Sequence, residues 1–206
     1  MTAHSEILRV TLTALPAIAE LEPLWLALES RADASFFQSW LWIGTWLECL
    51  PTYVAATLLR VERAGSVLGL GILVPRSLSR HKVLHSRGLF LNCTGDPHLD
   101  EITIEYNGLL CARGEDSAAT KAAIEYLLLE NPEWDELYLE GLHRPDIVDS
   151  LPLLAGMKEK QSLINRLEQL MQEGAFKKIM ADKTKKASLV EFLNSVIADI
   201  EATEKE

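Results

Sequence analysis

Along residues 7–142 the spacing of apolar side chains switches between two-residue alternation and a helical repeat, and the order of the switches leaves few folds open. Residues 7–15 alternate apolar and polar, the pattern of a strand. Leu21, Leu24, Trp25 and Leu28 then fall at i, i+3, i+4 and i+7, one face of a helix with Pro23 in its first turn. Ser35 and Gln38 form an S-x-x-Q capping box ahead of a second helix. In it Phe36, Trp40, Ile43, Leu47 and Leu50 make one apolar face, and Pro51 ends it. Residues 52–62 and 66–75 are β-rich around Arg63-Ala64-Gly65-Ser66, which predicts a hairpin. Residues 84–92 and 101–111 are further strand candidates. Residues 117–130 are Ala- and Leu-rich and helical, and 134–142 close the series as a strand.

Strand, two helices, three or four strands, helix, strand is an α/β order, buried most simply as a mixed sheet with helices on both faces. The first two helices are expected to pack together on that sheet, with Trp25 and Trp40 buried. The order is also that of the first two-thirds of the GNAT-type acyltransferase fold. Four stretches agree with it: Leu24-Trp25-Leu26-Ala27-Leu28; the nine residues from Ala34 to Trp42; Val67-Leu68-Gly69-Leu70-Gly71; and Ile104-Glu105-Tyr106-Asn107-Gly108-Leu109-Leu110. Together they resemble the CelD-like acetyltransferase family, which is similar to the peptidyl-transferring Fem proteins and pairs two GNAT-like halves. The resemblance covers residues 5–143, the N-terminal half only. It implies acyl-CoA-dependent N-acyl transfer, with acetyl-CoA or another acyl-CoA as the cofactor of a complete family member.

In such a family the acyl-CoA pyrophosphate lies on backbone N–H groups at a strand-to-helix turn, within Arg/Gln-x-x-Gly-x-Gly/Ala. The equivalent turn here is Cys111-Ala112-Arg113-Gly114-Glu115-Asp116-Ser117. Cys111 stands where Arg or Gln belongs. Glu115 and Asp116 suit a helix N-terminus but repel a pyrophosphate placed there. The signature is absent, so no cofactor-binding residue is expected in this chain and no catalytic residue is assigned.

Glu105-Tyr106-Asn107 is the most family-like stretch and a candidate substrate contact, with Glu105 as a carboxylate base and Asn107 as an orienting amide. The alternative is a strand end whose polar side chains satisfy backbone groups. Trp42 and Trp46, i and i+4 on the second helix, are candidates for lining a ligand or partner groove; the alternative is a helix buried on two sides. Cys93, Asp96, His98 and Asp100 lie close together, but their spacing matches no standard zinc pattern, and a polar loop is expected in place of a metal site. The run from Arg76 to Arg87 is the one basic cluster of the first part, a candidate contact for phosphate or an acidic partner; the favoured alternative is a solvated loop between strands. No Ser/His/Asp triad, phosphate loop or CxxC pair is present.

Composition breaks the chain in two. Residues 1–156 hold nine Arg and two Lys, and residues 157–206 hold one Arg and eight Lys. All five Trp and all four Tyr fall in the first part. Arg and Lys serve a solvated surface about equally well, so the switch points to two segments of different origin; a natural Lys-rich tail is the plain alternative. The expected domains are 1–144, GNAT-like, and 145–206, a helical appendage. In the latter, Leu163, Leu167 and Leu170 form one stripe, and Leu189, Leu193, Val196 and Ile200 form another behind a Ser188/Glu191 capping box. These stripes suit a protein partner or self-association. A net charge of −10 argues against nucleic acid and anionic membrane. No stretch approaches the ~20 apolar residues of a membrane span. The three scattered cysteines and an N-terminus without a basic head or apolar core suggest the cytoplasm.

Overall fold

The computed structural model describes residues 7–80, 84–102, 104–130 and 134–144. All of them lie in the first of the two units into which the chain divides, Met1–Pro152. The expectations for helices in 157–206 fall outside the described residues.

The alternating segments pair as their periods require. Strand β1 (Arg9–Ala14) runs antiparallel to β2 (Thr57–Arg63), with Val10 opposite Val61 and Leu12 opposite Leu59. A two-residue turn at Ala64 and Gly65, with φ of 49° and 79°, joins β2 to β3 (Ser66–Arg80) as a hairpin. The outer half of β3 pairs with β4 (Leu84–Leu91), so most of the Arg76-to-Arg87 run forms two strand arms and not a loop. Its Leu78 continues the alternation past Pro75. Further back on β3, Gly69 and Leu70 pair with β5 (Leu110–Cys111). Strand β6 (Glu136–Tyr138) lies parallel to β4, giving a six-stranded, mostly antiparallel sheet of order β1-β2-β3-β4-β6, with β5 also on β3.

Side-chain alternation along these strands builds two cores. Leu58, Leu68, Leu70, Ile72 and Leu110 meet Leu21, Trp25 and Leu28 of α1 (Ile18–Glu29) and Ile43 and Leu47 of α2 (Trp40–Cys49). Their odd-numbered neighbours Leu59, Val61, Leu73, Leu91 and Cys111 meet Ala119, Ala123 and Leu127 of α3 (Asp116–Leu129). Helices thus cover both faces of the sheet.

Several local expectations are corrected. Helix α1 begins at Ile18, which puts Pro23 inside it and not in its first turn. The capping box closes a 3-10 turn, Phe36–Gln38, while Ser39 caps α2 through a 3.4 Å bond from the Trp42 amide. The cause is Gln38: its side chain turns inward, accepting from the Ser35 amide at 2.9 Å and donating to the Leu109 carbonyl at 2.9 Å. Phe36 therefore leaves the apolar face of α2 and is 58% exposed. Trp25 is buried and donates to the Gln38 carbonyl at 2.9 Å, whereas Trp40 is half-buried beside it. The strand expected over 101–111 is confined to Leu110–Cys111, because the segment before it turns inward around Asn107. That expected over 134–142 shortens to Glu136–Tyr138.

Candidate functional site

Two adjacent parallel strands joined through a helix open a crevice beyond their carboxyl ends, the usual ligand position in open α/β sheets. Here β4 and β6 are such a pair, and α3 lies on the path between them. The chain itself fills the opening. Asn107 bridges to Leu142 in parallel fashion, its amide donating to the Gly141 carbonyl at 2.7 Å and its carbonyl accepting from the His143 amide at 2.8 Å. Its side-chain Nδ2 donates to the Leu91 carbonyl at 2.9 Å and to the Glu140 carbonyl at 3.0 Å, tying the end of β4 to the chain beyond β6. Its Oδ1 accepts from Asn92 Nδ2 at 2.9 Å and from the Gly108 amide at 2.7 Å. The residue is 0% exposed, and every hydrogen-bonding position of its amide is used inside the protein.

Glu105 and Tyr106 flank this plug at the surface. Tyr106 takes a φ of 53°, its carbonyl accepts from Ser35 Oγ at 3.0 Å, and its ring meets that of His143 edge-on at 5.6 Å. Trp42 is half-buried against Phe37 and Phe36, at 4.8 and 5.6 Å, and Trp46 packs on the α1/α2 core. The structure thus brings Glu105, Tyr106 and Asn107 together and leaves Trp42 and Trp46 on the α1/α2 side of the sheet.

Behind the plug, between the sheet and α3, lies a cavity of about 180 Å³. Leu59, Leu73, Leu91 and Leu109 form its sheet side, and Ala123, Ile124 and Leu127 its helix side. Asp33, Asp116, His143 and Arg144 stand around it, and Asn107 contributes to its wall. Cys111 also lines it. Burial, reinforced by the charge of Asp116, pushes this thiol up to about 12, with a hydrogen bond to Thr120 acting the other way. It is a neutral thiol near pH 7, not a nucleophile.

At the turn into α3, Gly114 has a φ of 81° and Glu115 precedes the first helical residue, Asp116. The Glu115 carboxylate accepts both guanidinium bonds of Arg63, at 2.7 and 3.0 Å. That hydrogen-bonded guanidinium holds the Glu115 carboxyl below the usual carboxylate range. The turn into α3 therefore carries two carboxylates, Glu115 and Asp116, and Arg63 is bonded to the first of them.

The Cys93–Asp100 stretch is held by its own carboxylates. Asp100 accepts from the Thr94 amide at 3.0 Å and hydroxyl at 2.9 Å, and Asp96 from the His98 amide at 3.0 Å. Burial pushes the Cys93 thiol up to about 12. Among the described residues no group of three or more His, Cys, Asp or Glu could hold a metal ion. Of the basic run, Arg76 pairs with Asp96 at 3.1 Å and Arg87 with Asp135 at 3.4 Å, so neither presents a bare charge to phosphate.

The inward turn of Gln38, the burial of Asn92 and the cavity itself were not expected from the sequence. Asn92 carried the one available signal, a polar residue directly after the apolar run Leu89-Phe90-Leu91. Comparisons with protein-family models, with curated proteins and with solved structures give no significant match to this chain. Among the described residues no helix is long and apolar enough to cross a membrane.

Proposed function

We propose that residues 5–143 are a GNAT-like half of an N-acyltransferase of the CelD-like type, one that takes up no acyl-CoA and is catalytically silent without a second half. The class is supported by the element order, by helices on both sheet faces, and by the parallel β4/β6 pair with α3 between its strands in the chain. The silence rests on one observation. At the N-terminus of α3, Glu115 is bonded to Arg63 and Asp116 follows it, so an incoming pyrophosphate meets negative charge where an acyl-CoA site needs free N–H groups. The crevice filled by Asn107 supports the same reading. In this account residues 157–206 offer their apolar stripes to a protein partner or a second copy, and the scattered cysteines belong to a reducing cytoplasm.

The test is a thiol-release assay with acetyl-CoA and a panel of small amines. The full chain is expected to release CoA no faster than buffer, and turnover proportional to protein concentration would refute the proposal.

A further inference from the structure

We propose that the cavity beneath α3 binds a small organic cation, its apolar body against the leucines of the sheet and its charged head at Asp116. This goes beyond the acyltransferase reading and does not depend on it.

Size comes first. A dry apolar cavity of ~150 Å³ takes up benzene, and this one measures about 180 Å³ with Leu73, Leu91 and Ile124 in its walls. It therefore suits a six-membered ring bearing about two further heavy atoms.

The charge of the ligand follows from which groups at the cavity are already engaged. Asp33 accepts from Arg113 at 2.8 Å and Arg144 has a partner, while the exposed His143 ring meets Tyr106 only edge-on and supplies no anion. The amides of Gln38 and Asn107 are bonded within the protein. Asp116 remains: among the described residues nothing forms a hydrogen bond or ion pair with its carboxylate. Its place in the first turn of α3 accounts for a carboxylate there, since the helix dipole favours one. It does not account for Asp116 lining the same cavity as Leu59, Leu73, Leu91 and the buried Cys111. A cavity with leucines on its sheet side, polar groups at its rim and Asp116 as its one unengaged anion selects a cation with a hydrophobic body.

Benzylamine, benzyl alcohol and benzoate share one ring and differ in charge. Each would be titrated into the ¹⁵N-labelled full chain and followed by amide chemical shifts. Benzylamine is expected to saturate in about the millimolar range, as suits so small a ligand, with shifts concentrated at Leu91, Cys111, Ala123 and Leu127. Benzoate is expected to bind about tenfold more weakly or not at all. Asp116→Asn should weaken benzylamine about three- to tenfold and leave benzyl alcohol unchanged. Ala123→Leu, which fills the cavity, should abolish binding of both; if that variant does not fold, Asp116→Asn decides alone. Benzylamine shifts that are absent or scattered over the surface would overturn the proposal. So would benzoate binding as tightly as benzylamine, or Asp116→Asn leaving benzylamine unaffected. Acetyl-CoA takes no part in these titrations, so their failure would leave the acyltransferase reading standing.

Discussion

Asn92 donates its side-chain amide to Oδ1 of Asn107 at 2.9 Å, and both residues are buried where β4 ends. Through the two of them the amide of Ile72, the carbonyls of Leu91, Gly108 and Glu140, and the amide of Gly108 all find partners. Asn107→Leu keeps the number of side-chain heavy atoms but adds bulk, and it strands several of these groups, each at ~1–3 kcal/mol. We expect a loss of about 3–5 kcal/mol in urea unfolding. A loss below about 1 kcal/mol would mean that the amide is dispensable to the fold and free for another role.

Gly141 and Gly65 both have left-handed backbone, with φ of 62° and 79°, yet they differ in surroundings. A Cβ at Gly65 meets nothing within 4 Å, while one at Gly141 strikes the Ile104 carbonyl oxygen. Gly65→Ala is expected to cost about 1 kcal/mol, the backbone term alone. Gly141→Ala should cost more than about 3 kcal/mol, because the segment carrying Asn107 must also move. Equal losses in the two variants, read by thermal unfolding, would contradict this packing.

The three cysteines are free, Cys49 exposed and Cys93 and Cys111 buried. Burial pushes both buried thiols up to about 12, so almost no thiolate exists there in neutral or mildly alkaline buffer. Ellman's reagent is expected to titrate one thiol rapidly in the native protein and three in denaturant. Rapid reaction of a second thiol in the native protein would show that Cys93 or Cys111 is reachable from solvent.

The Arg63–Glu115 pair gives a pH dependence with a definite sign. The Glu115 carboxyl is held below its unfolded value, ordinarily about 4.3. The pair's contribution is therefore complete above that value and disappears as the pH falls through the lower folded one. The stability difference between the wild type and Glu115→Gln should be constant from neutral pH to about pH 5, then narrow on further acidification. A difference that stays constant down to about pH 2, or widens, would show that the pair does not form.

Elements whose side chains follow one period were legible in the sequence, because burial on one face imposes that period. Trp25 and Leu28 on α1, the β2/β3 hairpin around Ala64-Gly65, and α3 are of this kind. Residues 101–109 were misleading: Ile102 and Ile104 alternate with polar residues as in a strand, but the buried Asn107 replaces ladder bonds with side-chain bonds, which that alternation does not show. The Ser35/Gln38 pattern was legible as a cap but not as the cap of a 3-10 turn, because what turns Gln38 inward is the Leu109 carbonyl, 71 residues along the chain. The cavity left no local trace for the same reason. Asp33, Leu59, Leu91 and Asp116 meet only once the sheet is assembled.

Isothermal titration of acetyl-CoA into the full chain tests the central claim most directly, since in the proposed GNAT-like half Glu115 and Asp116 occupy the turn equivalent to the pyrophosphate site. The expected result is no saturable heat up to about 1 mM ligand, an affinity weaker than about −4.1 kcal/mol. Saturable binding with a Kd below about 100 μM, roughly −5.5 kcal/mol, would contradict the account.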